Sequence, residues 1–298
     1  MADRAKSHAF PDALLAWYFV IVWGSGFVAT KAGLQYAAPF TFLSLRFAFG
    51  LIVLAPILWY AKPSWPQGWM AWWHIIFAGL LVHGVHLSGS HYGQYLGLSA
   101  GVVAIVLASQ PLLTALVAAI ILSERPSHRQ WIGIAIGLAG VALVVWHKID
   151  IAAMTVPSLC AVLIALFALT AGTLYQRHFC RDSDLRSASF IQFAASLLLL
   201  APLSFAFEGA QVQWSWTLAG SVAFLVIFAS ILAVSALHTL MRHGQATRVA
   251  SMLYLPPVFA VAMEWLAYGI VPTALTIIGI AVTSVGVALA AGQGAKRG

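Results

Sequence analysis

Residues 101–126 read GVVAIVLASQPLLTALVAAIILSERP. The first 22 of them, through Leu122, carry no charge, and Ser-Glu-Arg-Pro closes the run. An uncharged apolar segment of about 20 residues spans a hydrocarbon layer of about 30 Å as a helix. Pro111 stands in mid-run, after Ser109 and Gln110. A proline there removes a backbone donor and kinks the helix. Lipid offers no replacement for the lost hydrogen bond, so this span is expected against protein or a cavity.

The segment has a twin 146 residues on. Pro111 falls on Pro257, Pro126 on Pro272, and Gly133 on Gly279. Gly140-Val141-Ala142-Leu143 falls on Gly286-Val287-Ala288-Leu289, and Ala55-Pro56 on Ala201-Pro202. The same offset pairs Gly26 with Gly172 and Lys31 with Arg177. One ungapped offset that aligns both halves reads as an internal duplication, with repeats at 13–146 and 158–291.

Composition agrees with a membrane protein. The chain is 62% hydrophobic and 8% charged, against about 25% charged in a soluble domain. The net charge of +7 lies in loops, without the aromatic-basic platform that binds single strands, so no nucleic-acid partner is expected. Cys160 and Cys180 stand near opposite ends of one span, about 30 Å apart, too far to pair. The first apolar run is too long for a cleavable signal peptide and lacks its small-residue cleavage site.

The apolar runs place spans at about 13–34, 40–60, 69–92, 101–122, 131–146, 158–179, 187–207, 215–241, 246–268 and 273–291. Basic residues are retained on the cytoplasmic side of short loops. With the N-terminus inside, the inner set is Arg4, Lys6, Lys62, Arg125, Arg129, Arg177, Arg181, Arg186, Arg242, Arg248, Lys296 and Arg297. The outer set is Lys31, Arg46 and Lys148. Both termini are therefore expected in the cytoplasm. Five spans per repeat is odd, so the second repeat crosses in the opposite sense. The expected fold is an all-α integral membrane protein of ten transmembrane helices in two inverted five-helix repeats. Inverted repeats suit a secondary transporter that alternates access to a midplane site.

Trp23-Gly24-Ser25-Gly26-Phe27, then Lys31, Pro39 and Arg46, resembles the opening of bacterial EamA-type members of the drug/metabolite transporter superfamily. Leu122-Ser123-Glu124-Arg125-Pro126, followed by Gln130 and a Gly-rich fifth span, is similar to the way their first repeat ends. The resemblance covers nearly the whole chain. It implies export of small metabolites, amino acids and aromatic ones among them, across a bacterial inner membrane. The second repeat departs from the pattern: Ile270 stands where Glu124 stands in the first.

Candidate substrate-binding residues follow from polar groups inside spans, which are expensive and face protein or water. On a 100° wheel His83, His86, Ser90 and Gln94 fall at about 0°, 300°, 340° and 20°, one stripe of the third span. The stripe reads either as a cavity wall or as helix-to-helix hydrogen bonding, with Gln94 wetted at the surface. Ser251 and Tyr254 share a face of the ninth span, and Ser235 and His238 a face of the eighth. Ser109 and Gln110 either line the path or satisfy the carbonyl freed by Pro111. Trp17 and Trp23 offer aromatic walls; Trp59, Trp65, Trp69, Trp72, Trp73 and Trp146 suit the interfacial belt. Pro111 and Pro257 are candidate hinges. Arg46 and Glu264 are expected as a structural ion pair in preference to a substrate site. With Glu264 so held, facilitated transport down the substrate gradient is expected.

No acidic or thiol ligand stands near His83 and His86 in sequence, so no metal is expected. No cofactor motif or nucleotide phosphate loop is present. The chain is read as a transporter and not an enzyme; a membrane enzyme using His83 and His86, an exporter of other drugs or metabolites, or a channel are the alternatives. The expected partners are a small-molecule substrate and the lipid bilayer. Gly133 and Gly137, answered by Gly279 and Thr283, form a small-residue face. It points to packing within one chain, a monomer, with a dimer through the fifth and tenth spans as the alternative.

Overall fold

The computed structural model describes residues 9–121, 127–150, 155–242 and 255–291. These residues form helices α1 Ala9–Gly33, α2 Pro39–Ala61, α3 Trp69–Tyr95, α4 Ala100–Ala108, α5 Gln110–Ile121 and α6 His128–Asp150. The second half gives α7 Val156–Phe179, α8 Leu185–Glu208, α9 from Trp216 to Arg242, α10 Pro256–Tyr268 and α11 Ala274–Ala291. Seven described helices are long and apolar enough to cross a membrane, and His128–Val144 and Ala274–Leu289 are shorter apolar ones. The protein is an all-helical integral membrane protein. The one β feature among the described residues is an isolated antiparallel bridge, Ala37 to Val212.

Local sequence explains the helix ends. Ser127 and Gln130 form a reciprocal capping box: Ser127 N–H donates to Gln130 Oε1 at 2.8 Å and Gln130 N–H to Ser127 Oγ at 3.3 Å. Thr155 and Ser158 do the same for α7, and Asp184 and Ser215 cap α8 and α9. Such caps satisfy the N–H groups that the first helical turn leaves over. The span around Pro111 is two helices. Ser109 ends α4, and its hydroxyl donates to Val106 O at 2.6 Å. Pro111 then opens α5, where its missing N–H costs nothing. Pro256 and Pro257 likewise occupy the first turn of α10. The approach to that proline pair, residues 243–254, lies outside the described residues, as do Glu124, Arg125 and Pro126 of the chain's decisive segment.

The chain clusters into two compact units that do not coincide with the two sequence halves. One draws on Met1–Val28, Ser99–Asp150 and Ile227–Gly298; the other on Ala29–Leu98 and Ile151–Val226. Each unit is built from both halves, and α1 and α9 contribute to both units.

In the first unit α6 packs along α11 through small residues. A Cβ on Gly140 would lie 2.6 Å from Thr283 N, and one on Gly286 would strike the backbone of Gly137. The face built by Gly137 and its partners is thus used inside the chain. Gly24 of α1 meets α10 as closely: its Cβ would lie 2.7 Å from Pro256 O. In the second unit α2 lies on α8, where Phe193 covers Gly50 at 2.9 Å from the position of a Cβ. Gly89 and Gly93 bring α3 against Ala161, Ala165 and Val162 of α7. Close approach through small residues is how helices gain contact where lipid is as apolar as their side chains. Both cysteines are free, Cys180 buried and Cys160 exposed. Trp59, Trp65, Trp69, Trp72 and Trp73 are exposed, as a belt requires.

Gly140→Val should separate α6 from α11. The expected loss is about 2 kcal/mol, the scale of overpacking a tight contact, read as a lower unfolding temperature in detergent. A variant that melts with the parent would show that this contact yields.

Candidate substrate site

Polar side chains buried in a membrane helix need partners, so the site is built by following them. In the second unit they gather where α2 and α3 face each other. Phe42, Arg46 and Phe47 come from α2. His83, His86, Ser90, His91 and Gln94 come from α3. The middle of α3, Leu80–Val85, is a π-helical turn. Such turns carry one residue more than an α turn and are common at functional sites. Here the π turn carries His83. Its ring meets Phe193 edge-on at 5.1 Å between centroids and Phe47 at 6.1 Å, and Phe47 lies 5.3 Å from Phe193. His86 Nδ1–H donates to Val82 O at 2.9 Å, so its other nitrogen is an acceptor in the neutral ring. Ser90 is buried. Arg46 lies within electrostatic reach of His83, His86 and His91.

Two residues of α3 become prominent, His91 outside the expected stripe and Gln94 on it. His91 is 2% exposed, its ring lies 5.7 Å from that of Phe42, and neither ring nitrogen makes a hydrogen bond of good geometry, the Leu87 carbonyl one turn back lying near the ring. Gln94, expected as a wetted surface group, is 6% exposed with both amide atoms unpartnered. The Nε2 of buried Gln192 on α8 is also unpartnered.

Above this group, a carboxylate ties α2, α3 and α8 together. Glu208 Oε1 accepts from Phe40 N–H at 2.9 Å and from Tyr92 O–H at 2.7 Å. Its Oε2 accepts from Thr41 N–H and Thr41 O–H, both at 2.8 Å. Phe40 and Tyr92 meet ring to ring at 4.9 Å. Next to them Gln213 N–H donates to Tyr36 O at 2.8 Å. α2 starts from Ala38, which has no capping side chain. An uncapped helix start flanked by proline was the only trace of this partner in the sequence; its owner, 168 residues away, was not legible.

Glu264 plays the same part in the first unit. It was expected opposite Arg46. Its carboxylate accepts from the N–H groups of Ala100 at 2.9 Å and Gly101 at 3.0 Å, the start of α4. The first-turn amides and the helix dipole both favour an anion there. Glu264 is 3% exposed and held in its own unit. Two other acidic residues stand at the ends of spans: Asp12, 1% exposed, in α1 and Glu208 at the end of α8.

The remaining candidates fall in the first unit. Trp17 and Trp23 are about half exposed; Trp17 meets Phe259 edge-on at 6.2 Å and Trp23 tilts against Phe19 at 5.1 Å. Ser109 is buried and bonds its own backbone, the structural one of its two expected roles. Gln110 opens α5, and Ser235 is exposed on α9. The backbone of His238 is helical; its side chain, and Ser251 and Tyr254 altogether, lie outside the described residues. Pro257 lines a cavity of about 10 Å³ with Ile105, Ala108 and Thr283, the room of one water. Among the described residues no group of three His, Cys, Asp or Glu side chains is placed to hold a metal.

The EamA-like transporter family profile matches the chain twice, over residues 12–146 and 156–292. A probable amino-acid metabolite efflux pump of Salmonella typhimurium is 25% identical over 285 residues, covering 90% of each chain. The uncharacterized inner membrane transporter YedA of Escherichia coli K12 is 25% identical over 288 residues, covering 89% of each. A solved crystal structure superposes with a TM-score of 0.67 at 20% identity, covering 94% of this chain and 97% of the other; that likeness concerns the fold alone.

Replacing either carboxylate should unseat a helix start. Glu208→Ala leaves four donors without their acceptor and is expected to cost about 3 kcal/mol, and Glu264→Ala about 2 kcal/mol. Chemical unfolding of each variant checks the order. Equal stability of both variants and the parent would show that water replaces the carboxylates.

Proposed function

Because the chain belongs to the EamA-like transporter family, we propose that it is a secondary transporter that exports small metabolites, amino acids or close relatives, across a bacterial inner membrane. The observation that carries this reading is the buried polar face of α3 in a chain whose two halves match one transporter family. The efflux-pump name of the Salmonella relative supports the direction and the substrate class. The inner-membrane name of the E. coli relative supports the location.

The proposed topology is ten spans in inverted repeats at 13–146 and 158–291, with both termini cytoplasmic. Helix pairing supports it. α2 packs with α8 and α6 with α11, and each pair joins equivalent spans of the two repeats, as elements near a twofold axis do. In this reading access alternates around a site walled by His83 and His86. Ser90 lies beside them; Gln110, Ser235, Trp17 and Trp23 are proposed as further substrate contacts within the first unit, and Pro111 and Pro257 as hinges. Arg46, partly buried, supplies the positive charge of this wall, and Glu264 is a fixed element of the other unit's scaffold. Glu264, whose oxygens accept two backbone N–H groups, is read as structural and not as a proton carrier. Transport then runs down the substrate gradient. Use of the α6–α11 face inside the chain supports a monomer.

The test is counterflow in proteoliposomes over a panel of labelled amino acids, with and without a pH gradient. His83→Ala and His86→Ala should each lower flux about tenfold, the worth of one hydrogen bond to a charged ligand, in protein that still folds. Glu264→Gln should lower stability and leave any pH-gradient response unchanged. Recovery of a chemically altered substrate would mark an enzyme, and flux without saturation would mark a channel.

A further inference from the structure

We propose that His91 and Gln94 of α3, facing Phe42 and Arg46 of α2, form a carboxylate-binding subsite in the second unit. The proposal rests on the reading of the chain as a transporter and adds what its substrate must carry.

Register brings the four residues together. His91 and Gln94 are three apart on α3, and Phe42 and Arg46 four apart on α2, so each pair shares one helix face. The ring contact of His91 with Phe42 sets these two faces opposite each other. Arg46 stands one helical turn from Phe42 on the same face of α2. The Glu208 knot from Phe40 and Thr41 to Tyr92 pins the two helices next to the subsite. It also occupies the neighbouring carboxylate fully, with four donors.

Satisfaction then points to a ligand. Both amide atoms of buried Gln94 lack a protein partner, and the two His91 ring nitrogens make no hydrogen bond of good geometry, with the Leu87 carbonyl one turn back near the ring. A buried polar group left unmade costs about 1–3 kcal/mol, and native structures keep few of them. The groups are a ring N–H and an amide NH₂ as donors, with an imine nitrogen and an amide oxygen as acceptors. Beside a guanidinium, the donors suit an anion, and a planar carboxylate takes charge-assisted bonds from such a set. The amide oxygen of Gln94 is left to accept from an ammonium, where the ligand has one. The shared chemistry is a carboxylate, from either an amino acid or a simple organic acid, with Phe42 as its apolar wall.

The experiment uses the full chain purified in detergent and four probes. Propanoate and 3-phenylpropanoate carry a carboxylate alone, L-phenylalanine carries both groups, and 2-phenylethylamine carries only the ammonium. Carboxylate probes at about 10 mM should raise the unfolding temperature by mass action, and the amine should not. A larger effect of L-phenylalanine than of 3-phenylpropanoate would assign the subsite to amino acids, and the reverse to organic acids. Gln94→Leu and His91→Phe remove groups without a hydrogen bond of good geometry, so each should melt at or above the parent temperature while binding the carboxylates about tenfold more weakly. Gln94→Glu sets a like charge in the subsite and should abolish the carboxylate shift. The proposal is overturned if no carboxylate shifts the melt, if the amine matches them, or if these variants keep the parent's shift. Flux of the same probes in proteoliposomes is read separately. Carboxylate binding without movement would sink the transporter reading and leave the subsite standing. Movement without carboxylate-dependent binding would do the opposite.

Discussion

A carboxylate at the start of a membrane helix is the constraint on which this structure depends. The first turn of any helix leaves N–H groups without partners, and near or within lipid no water makes up the deficit. α2 starts from an alanine and so borrows its acceptor from Glu208, at the far end of α8. α4 has Ser99 for the Val102 N–H, and Glu264 for those of Ala100 and Gly101. Each carboxylate thereby joins segments more than 160 residues apart. The charge is tolerable because the donors are backbone dipoles already fixed in place.

The second organising feature is close backbone approach. α6 meets α11 where Gly137 and Gly140 leave room, and α3 meets α7 at Gly89 and Gly93. Apolar side chains gain little from each other in lipid, so surface complementarity and short separations decide which helices pair. The pairing runs across the halves of the sequence, which is why each compact unit contains parts of both.

Polarity inside the second unit follows from these two features. Glycines bring α3 against α7 and place Gly79 against Gln192 of α8, while the Glu208 knot holds α2 beside Tyr92. The remaining face of α3 is turned toward Phe42, Arg46 and Phe47. A π turn halfway along that helix changes the angular step between its two ends. His91 stands about 80° from His83 on a uniform 100° wheel, outside the stripe that the wheel selects, yet its ring is packed on Phe42.

The sequence by itself determined the membrane class, the all-helical character and the family, because hydropathy and periodicity are local properties that survive without coordinates. It also marked the polar face of α3 at His83, His86 and Ser90, since a polar residue inside an apolar run is visible on its own. Only the tertiary structure decided who satisfies whom. Two donors to Glu264 are backbone amides, which one-letter code does not display, and Glu208 looked like an ordinary helix end. His91 was hidden by a change of helical pitch that hydropathy does not register; Gln94 fell on the stripe, and only its burial went unseen. The physical reason is the same in each case: satisfaction of a buried polar group is a matter of distance and direction between segments far apart in the chain.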